Sequence, residues 1–314
     1  MDKALSSVGF FRLCNHGIEQ RKIDACFLWN ERLFTSRSTG DSESRSASSR
    51  GRGYSGVGKE QIRGQTCLKE NFDIGNPNDD NCANVWPAER LFPGFRRFSE
   101  DFFKDCAKLT YQLLECLSLA LGLSEGTSLG KYHADTLFNL SLIHYPSIPV
   151  EQRPSGTLTR NPPHSDFGTL TLLFQDEVGG LEIADPNSTS SSASATVERS
   201  GTFVHVDPEP GTIVVNVGYL LMKWTNGRWR NTVHKVSEPP RHTNRSSQSS
   251  KIDDGDSKNE RDIPERYSTA YFSAPDPTTV VEAFQCCCND EAPSKPINAG
   301  EYLRRKRAQM YTEN

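Results

Sequence analysis

The stretch from residue 161 to 183 constrains this chain more than any other part of the sequence. It reads NPPHSDFGTLTLLFQDEVGGLEI, so that His164 and Asp166 stand directly before an apolar, β-branched run from Thr169 to Phe174. Residues two apart in a β-strand point to the same face of the sheet. We therefore expect an imidazole and a carboxylate to lie side by side at the start of a strand.

A histidine and an acid on one strand face suggest part of a metal site. Two imidazoles and one carboxylate on one side of a metal ion leave the other side open, which is the facial arrangement that non-haem Fe(II) oxygenases use. The second imidazole must come from elsewhere, and the candidates outside a predicted turn at His16 are His133, His144, His205, His234 and His242. We select His234, because it lies in the strand-like stretch WRNTVHKV, far enough along the chain to return across a barrel. Taken alone, any of these histidines is more often structural.

An anion-binding pair is predicted on a later strand, RYSTAYF, where Arg266 and Ser268 share one face. A guanidinium binds a carboxylate through two parallel charge-assisted hydrogen bonds. A buried arginine without an anionic partner is costly. The plain alternative is an ion pair with an Asp or Glu of the chain, but beside a metal site an anionic co-substrate is the better partner. Tyr145, on a neighbouring predicted strand, could donate its hydroxyl to the same carboxylate.

Short strands separated by turn signals dominate the second half of the chain. Apolar or alternating runs predict strands at 137–146, 169–174, 202–207, 212–217, 229–236 and 266–273. Such a series predicts a sandwich or barrel. Upstream, apolar spacing predicts helices over 19–34 and 93–123, the second with a continuous apolar stripe. We therefore expect a mainly β fold with flanking helices, in which a helical N-terminal region supports a C-terminal barrel.

The sequence suggests a division into three parts: an N-terminal helical or mixed region, 1–135, a barrel core, 136–285, and a C-terminal tail ending in a helix, 286–314. Three polar segments, 35–52, 187–200 and 241–262, are poor in apolar residues. We predict that they are mobile loops or inserts.

Charge and cysteine content limit the partners and the compartment. The formal net charge of -4 gives no electrostatic footprint for nucleic acid, and no apolar run approaches the ~20 residues of a membrane helix. The nine cysteines are odd in number and form no CxxC pair. We expect a cytoplasmic protein with reduced thiols that binds a small molecule, not nucleic acid or a membrane. The oligomeric state stays open.

Several motifs occur together and in a fixed order, and they resemble the isopenicillin N synthase-like group of Fe(II)- and 2-oxoglutarate-dependent dioxygenases over nearly the whole chain. They are Gly9-Phe10-Phe11, Asn15-His16-Gly17, Arg52-Gly-Tyr-Ser, His164-Ser-Asp166-Phe-Gly-Thr-Leu-Thr-Leu-Leu, Gly179-Gly-Leu-Glu, Asn216-Val-Gly, Thr225-Asn-Gly-Arg, His234-Lys-Val and Arg266-Tyr-Ser268.

The resemblance implies a double-stranded β-helix, or jelly-roll, core with Fe(II) at one mouth. By resemblance, His164, Asp166 and His234 are the metal ligands. Arg266 and Ser268 bind the distal carboxylate of 2-oxoglutarate with help from Tyr145, and Phe272 contacts the organic substrate. The implied reaction uses O2 to hydroxylate, desaturate or cyclise a small organic molecule, such as a secondary metabolite, with release of succinate and CO2.

Three departures from the family pattern accompany this resemblance. The family usually opens with a strand of the type Pro-Val-Ile-Asp-Leu, and this chain begins after it. Ile143 stands where the family often has Asn, two residues before the co-substrate tyrosine, and Tyr219 stands where Asp is usual. Neither change removes a predicted metal ligand.

Two alternative functions stay open. The first alternative is an iron oxidase of the same fold that uses O2 without 2-oxoglutarate. The second is a metal-free binding protein without activity.

Overall fold

A computed structural model describes residues 1–36, 51–79, 82–134, 137–152, 158–187, 201–240, 262–288 and 295–310 of the chain. The three predicted mobile segments, 35–52, 187–200 and 241–262, lie outside the described residues except at their ends. The α-helices within the described ranges are α1 (Asp2–Ser7), α2 (Gln20–Thr35), α3 (Phe95–Leu121), α4 (Tyr219–Trp224) and α5 (Ala299–Ala308).

Strands make up most of the remaining regular structure. They are β1 (Phe10–Leu13), β2 (Gly53–Ser55), β3 (Gln61–Ile62), β4 (Gln65–Thr66), β5 (Glu70–Gly75), β6 (Asn139–Tyr145), β7 (Thr159–His164), β8 (Leu170–Gln175), β9 (Leu181–Ala184), β10 (Phe203–His205), β11 (Ile213–Val217), β12 (His234–Ser237), β13 (Arg266–Phe272), β14 (Val280–Val281) and β15 (Ile297–Asn298).

Two antiparallel sheets form the body of the molecule. The larger has seven strands in the order β1-β11-β8-β13-β6-β5-β2, and the smaller has four in the order β10-β9-β12-β7. Strands from the N-terminal region, β1, β5 and β2, therefore extend both edges of the larger sheet. This arrangement confirms the predicted mainly β jelly-roll fold.

The facing sides of the two sheets enclose the barrel interior. Val214 of β11 packs with Leu181 and Ile183 of β9. At the other end, Val236 of β12 packs against Ile143 of β6 and the neighbouring part of β13. Side chains on both inner faces interdigitate in such a sandwich, and the alternate residues of each strand face outward.

The helices cover the outer side of the seven-stranded sheet. On α3, Phe102 lies 5.4 Å from Phe174 of β8, and Phe103 lies 5.1 Å from Tyr271 of β13, measured between ring centroids. Each such ring, fully buried, contributes about 1.5–3 kcal/mol to stability. The helix ends at Gly122, whose φ of 69° is the left-handed conformation that favours glycine at a helix end.

The predicted helices and strands match the structure apart from several differences. Prolines 162 and 163 obscured β7, which tolerates them because it is an edge strand. His164 ends β7, and Asp166 lies in the connection before β8, so the two do not share one strand as predicted. The stretch predicted as a strand over 229–236 becomes one only at His234. The C-terminal helix is described as far as Ala308.

His133 links the segment after α3 to the strand that follows the histidine–aspartate motif. It is 4% exposed, its Nδ1 lies 2.8 Å from the carbonyl of Leu129, and its Nε2 lies 2.8 Å from the hydroxyl of Thr169. A neutral imidazole with one donor and one acceptor satisfies both contacts. Burial lowers the pKa of His133 from 6.5 to about 4.

We predict a pH-dependent loss of stability through His133. Because its pKa is lowered on folding, the unfolded chain binds more protons between pH 6.5 and about 4, and stability falls as the pH is lowered through this window. The loss should reach roughly 3 kcal/mol. His133→Leu should be less stable at pH 7 and should lose less on acidification, as measured by urea unfolding at a series of pH values. The same pH slope in both proteins would contradict this.

No helix among the residues described above is long and apolar enough to cross a membrane.

Candidate metal and co-substrate site

Three side chains meet in the smaller sheet, where β7 ends and the neighbouring strand β12 begins. His164 and His234 are direct cross-strand partners, and their ring centroids are 4.3 Å apart. Oδ1 of Asp166 lies 4.0 Å from Nε2 of His164 and 3.8 Å from Nε2 of His234. One donor atom from each of the three residues lies within 4.8 Å of the others. The structure thus brings together the predicted triad.

Backbone contacts orient both imidazoles toward the shared centre. Nδ1 of His164 lies 2.8 Å from the carbonyl of Pro162, and Nδ1 of His234 lies 3.2 Å from the carbonyl of Thr232. A carbonyl only accepts, so each Nδ1 carries the hydrogen, and each Nε2 keeps a free lone pair. This is the usual way in which a protein fixes the tautomer of a metal-binding histidine.

The carboxylate of Asp166 is also oriented by hydrogen bonds, in its case from two side chains. Its Oδ2 accepts hydrogen bonds from the hydroxyl of Thr171 at 2.5 Å and from the side-chain amide of Asn216 at 2.7 Å. Thr171 and Asn216 are cross-strand partners on β8 and β11. The two donors leave Oδ1 facing the imidazoles. Sequence reasoning missed this role, although a polar Asn inside the apolar strand IVVNV is a signal that could have found it.

The electrostatics of the triad suit metal binding. Burial, together with the neighbouring His234, lowers the pKa of His164 to about 4. Burial alone would raise the pKa of Asp166, but the two imidazoles and the two hydrogen bonds outweigh it and lower the pKa. At neutral pH the site therefore offers a neutral imidazole beside a carboxylate, which are the protonation states that metal ligands need.

The other candidate histidines lie elsewhere. His133 is bound to Leu129 and Thr169, as described above. His144 faces outward on β6, where its Nδ1 lies 2.8 Å from a carboxylate oxygen of Glu70. His205 is largely exposed and lies 3.5 Å from Glu182. His242 lies outside the described residues.

The predicted anion-binding pair lies on the inner face of β13. Arg266 is 1% exposed, and its guanidinium lies 5.0 Å from the ring centre of Tyr145, its cross-strand partner. The guanidinium donates to the hydroxyl of Ser268 at 3.1 Å and to the side-chain oxygen of Gln175 at 3.3 Å. Its Nε has no hydrogen-bond partner among the described residues. Arg266, Ser268 and Tyr145 are thus brought together as predicted.

Arg266 forms no direct ion pair within the described part of the chain. Its hydrogen-bond partners there are neutral, and the nearby acid, Asp176, accepts from the backbone amides of Tyr267 and Val178 instead. A buried guanidinium without a paired anion is unfavourable. An anionic ligand with planar, bidentate oxygens satisfies it, and the carboxylate of 2-oxoglutarate has this chemistry.

A second buried arginine, which sequence reasoning missed, supports the first. Arg160 of β7 is 0% exposed, and its guanidinium lies 5.2 Å from the ring centre of Tyr145. It donates to the carbonyl of Pro146 at 2.7 Å and to that of Pro264 at 2.9 Å. These carbonyls flank Tyr145 and Arg266 in the chain, so Arg160 fixes both strand ends at the pocket.

Phe272 lies at the end of β13, on the same face of the strand as Arg266 and Ser268. It is the cross-strand partner of Thr171 on one side and of Asn139 on the other. It is half-buried and packs against the apolar cluster that includes Tyr145. Its neighbour Thr171 holds the carboxylate of Asp166, which places Phe272 beside the triad.

A jelly roll with two histidines and one aspartate at its mouth, and with a buried arginine that has no direct ion pair among the described residues, is typical of a non-haem iron oxygenase. Family comparison agrees with this class. A model described as the 2OG-Fe(II) oxygenase superfamily matches residues 138–275, and a model described as non-haem dioxygenase in morphine synthesis N-terminal matches residues 1–89. The chain belongs to the 2OG-Fe(II) oxygenase superfamily.

Individual relatives cover most of the chain. The 2-oxoglutarate-dependent dioxygenase frbA of Dothideomycetidae sp. (strain 11243) is 34% identical, covering 90% of this chain and 80% of the relative. The proline hydroxylase buaE of Petromyces alliaceus is 33% identical, covering 98% and 91%. A full-length Neurospora crassa protein, solved in complex with alpha-KG and 5-formyluracil, is 28% identical and superposes with a TM-score of 0.79. That match covers 98% of this chain and 88% of the Neurospora crassa chain.

These relations confirm the expected fold, enzyme class and cofactors. The protein is an Fe(II)- and 2-oxoglutarate-dependent dioxygenase, an oxidoreductase that uses both the metal and the co-substrate. The three-part division of the chain predicted from the sequence stays a prediction.

Proposed function

We propose that His164, Asp166 and His234 bind Fe(II), and that Arg266, Ser268 and Tyr145 bind the distal carboxylate of 2-oxoglutarate. The observation that carries this proposal is the convergence of the three donor atoms within 4.8 Å, with their remaining polar atoms already hydrogen-bonded. Arg266 has no direct ion pair within the described residues, and this supports the assignment of the co-substrate carboxylate to it.

The chain's own residues then bind, orient and shield. When bound, the metal and co-substrate supply an O2-dependent oxidation that yields succinate and CO2. Thr171 and Asn216 hold the carboxylate of Asp166 in one orientation. Ser268 and Tyr145 flank the guanidinium that takes the distal carboxylate. Apolar side chains of the inner faces exclude water from the reacting centre.

The proposed substrate is a small organic molecule of secondary metabolism, which is hydroxylated, desaturated or cyclised, with Phe272 in contact with it. One relative is named a proline hydroxylase and a solved neighbour holds 5-formyluracil, and both names refer to small molecules. We propose that the enzyme works in the cytoplasm without nucleic acid or membrane partners. Its nine cysteines are all free, as a reducing compartment favours.

Anaerobic addition of Fe(II) and 2-oxoglutarate tests the proposed roles. The wild-type protein should develop a weak visible charge-transfer band, and admission of O2 should release succinate. Succinate is the product that separates this function from an oxidase that does not use 2-oxoglutarate. Folded protein that shows no band and releases no succinate would contradict the assignment and favour a metal-free binding protein.

A further inference from the structure

Another buried arginine lies on the same inner face as Arg266 and has no anionic partner within the described ranges. Arg52 is 3% exposed, and its Nη1 donates to the side-chain oxygen of Asn139 at 2.8 Å and to the carbonyl of Gly51 at 3.2 Å. Its Nε has no hydrogen-bond partner in the described structure. Within the described ranges, none of the ion pairs found involves Arg52, so this guanidinium is held by neutral groups.

Gly75 makes room for this guanidinium. A Cβ added at Gly75 would overlap the guanidinium atoms of Arg52, and the φ of Gly75 does not require glycine. Gly75 is the cross-strand partner of Asn139 on β6, so that missing Cβ would point to the face that carries Asn139. Arg52 therefore lies on the inner face of the sheet, in space that any larger residue at 75 would occupy.

The strand register connects Arg52 to the metal ligands. Gly75 pairs with Asn139, Asn139 with Phe272, Phe272 with Thr171, and Thr171 with Asn216. Direct partners in an antiparallel sheet share a face, and neighbouring strands are about 4.8 Å apart. One row of side chains therefore runs from Arg52, past Phe272, to the two residues that hold Asp166. The row from Gly75 to Thr171 is about 14 Å long.

Arg52 and Arg266 cannot serve the same ligand. The guanidinium of Arg266 bonds to Ser268, whose partner on β6 is Ile143, whereas Arg52 bonds to Asn139. These two positions on β6 are four residues apart, which is about 13 Å along a strand. The five-carbon co-substrate, held by Arg266 and the metal, does not extend along the row as far as Arg52.

Asp73, the acid that shares the side chain of Asn139 with Arg52, already has hydrogen-bond donors of its own. Asp73 accepts hydrogen bonds from the side-chain amides of Asn139, at 2.9 Å, and of Asn71. Burial raises the pKa of Asp73. The other acid of this region, Glu60, is paired with the buried Lys69. Within the described residues, Arg52 is thus a buried cation whose charge is not balanced by a direct ion pair.

On the basis of the function proposed above, we propose that Arg52 binds a carboxylate of the organic substrate. The substrate class is a small carboxylic acid that lies along the row from Arg52 to Phe272, with its oxidised carbon beyond Phe272, toward the metal. Arg52 then binds the carboxylate of the substrate, and Arg266 binds that of the co-substrate. An uncharged analogue of the substrate leaves the guanidinium unpaired, and the site rejects it for that reason.

The test uses matched acids and amides. The full-length protein, kept anaerobic with Fe(II) and saturating 2-oxoglutarate, is titrated by calorimetry with three acids that are long enough to reach from Arg52 toward Phe272, namely L-phenylalanine, L-tyrosine and L-tryptophan, and with the amide of each. At least one acid should bind about tenfold or more tightly than its amide, since charge-assisted hydrogen bonds contribute more than neutral ones. Equal binding of every acid and its amide, or no binding of any acid, would overturn the proposal.

Variants show whether the acid preference comes from Arg52. Arg52→Met should remove the preference while the charge-transfer band with 2-oxoglutarate persists. Gly75→Ala should weaken it by displacing the guanidinium, and Arg52→Lys should retain part of it. Arg21→Met removes an exposed arginine and should change nothing. An acid preference that survives in Arg52→Met overturns the proposal. If Arg52→Met does not fold, an undiminished preference in both Gly75→Ala and Arg52→Lys overturns it. Loss of the band in wild type would instead reject the underlying function.

Discussion

Replacing His234 with alanine should reduce the rate of succinate release by more than about 100-fold, because even residues that only support a metal ligand change affinity by about 10–100-fold. The variant loses one of three donor atoms at a centre where each imidazole has a fixed tautomer. Turnover at saturating Fe(II) and 2-oxoglutarate, followed by succinate formation, measures the effect. The charge-transfer band should also disappear or require much more Fe(II).

His205→Ala is the matched control for this experiment. His205 also lies in the smaller sheet and faces an acid, Glu182, but it is exposed and lies on β10, which β9 separates from β12. Its removal should leave turnover unchanged. The fold should persist in both variants, since His234 lies at a strand end, and circular dichroism checks this. Undiminished turnover of folded His234→Ala would show that another group completes the metal site.

Replacing Arg266 with methionine should raise the KM for 2-oxoglutarate by roughly 10–100-fold, since a hydrogen bond to a charged group contributes about 1.5–3 kcal/mol. Methionine preserves much of the buried volume. It removes the charge of Arg266, which has no direct ion pair within the described part of the chain. The protein alone should not lose stability, because a buried guanidinium without its anion is unfavourable. Steady-state kinetics in 2-oxoglutarate and urea unfolding measure both effects.

Two comparisons make the result specific to the co-substrate. Ser268→Ala removes one neutral partner of the guanidinium and should raise the same KM by a smaller factor. Arg266→Lys keeps the charge but not the planar fork, so its KM should lie between those of the wild type and Arg266→Met. An unchanged KM for 2-oxoglutarate in Arg266→Met would contradict the assignment of this arginine.

The metal triad was predictable because its residue types are rare and their chemistry is specific. His164 and Asp166 stand two apart before an apolar run, and His234 stands in a later strand-like stretch. The physical reason given for the pair was only partly right, since Asp166 follows the strand instead of lying on it. The carboxylate reaches the imidazoles because Thr171 and Asn216 hold it there.

The supporting residues were not predictable in the same way. Arg160, Asn216 and Arg52 acquire their roles through partners that are distant in sequence, such as Pro264 for Arg160 and Gly75 for the space around Arg52. Strand register decides these contacts, and register cannot be obtained from the apolar pattern of one strand. The strand β7 was missed because its two prolines are typical of loops, and only its position at a sheet edge accommodates them.

The pairing of β1 with β11 bears on how the molecule is made. Phe10 to Leu13 pair with Ile213 to Asn216, so β1 leaves the ribosome long before its partner strand has been made. Contacts of such long sequence separation slow folding, and an unpaired apolar strand is prone to aggregation in the meantime. Since β11 also carries Asn216, the support of Asp166 is completed only after β11 has been made, and we expect the nascent chain to depend on chaperones until then.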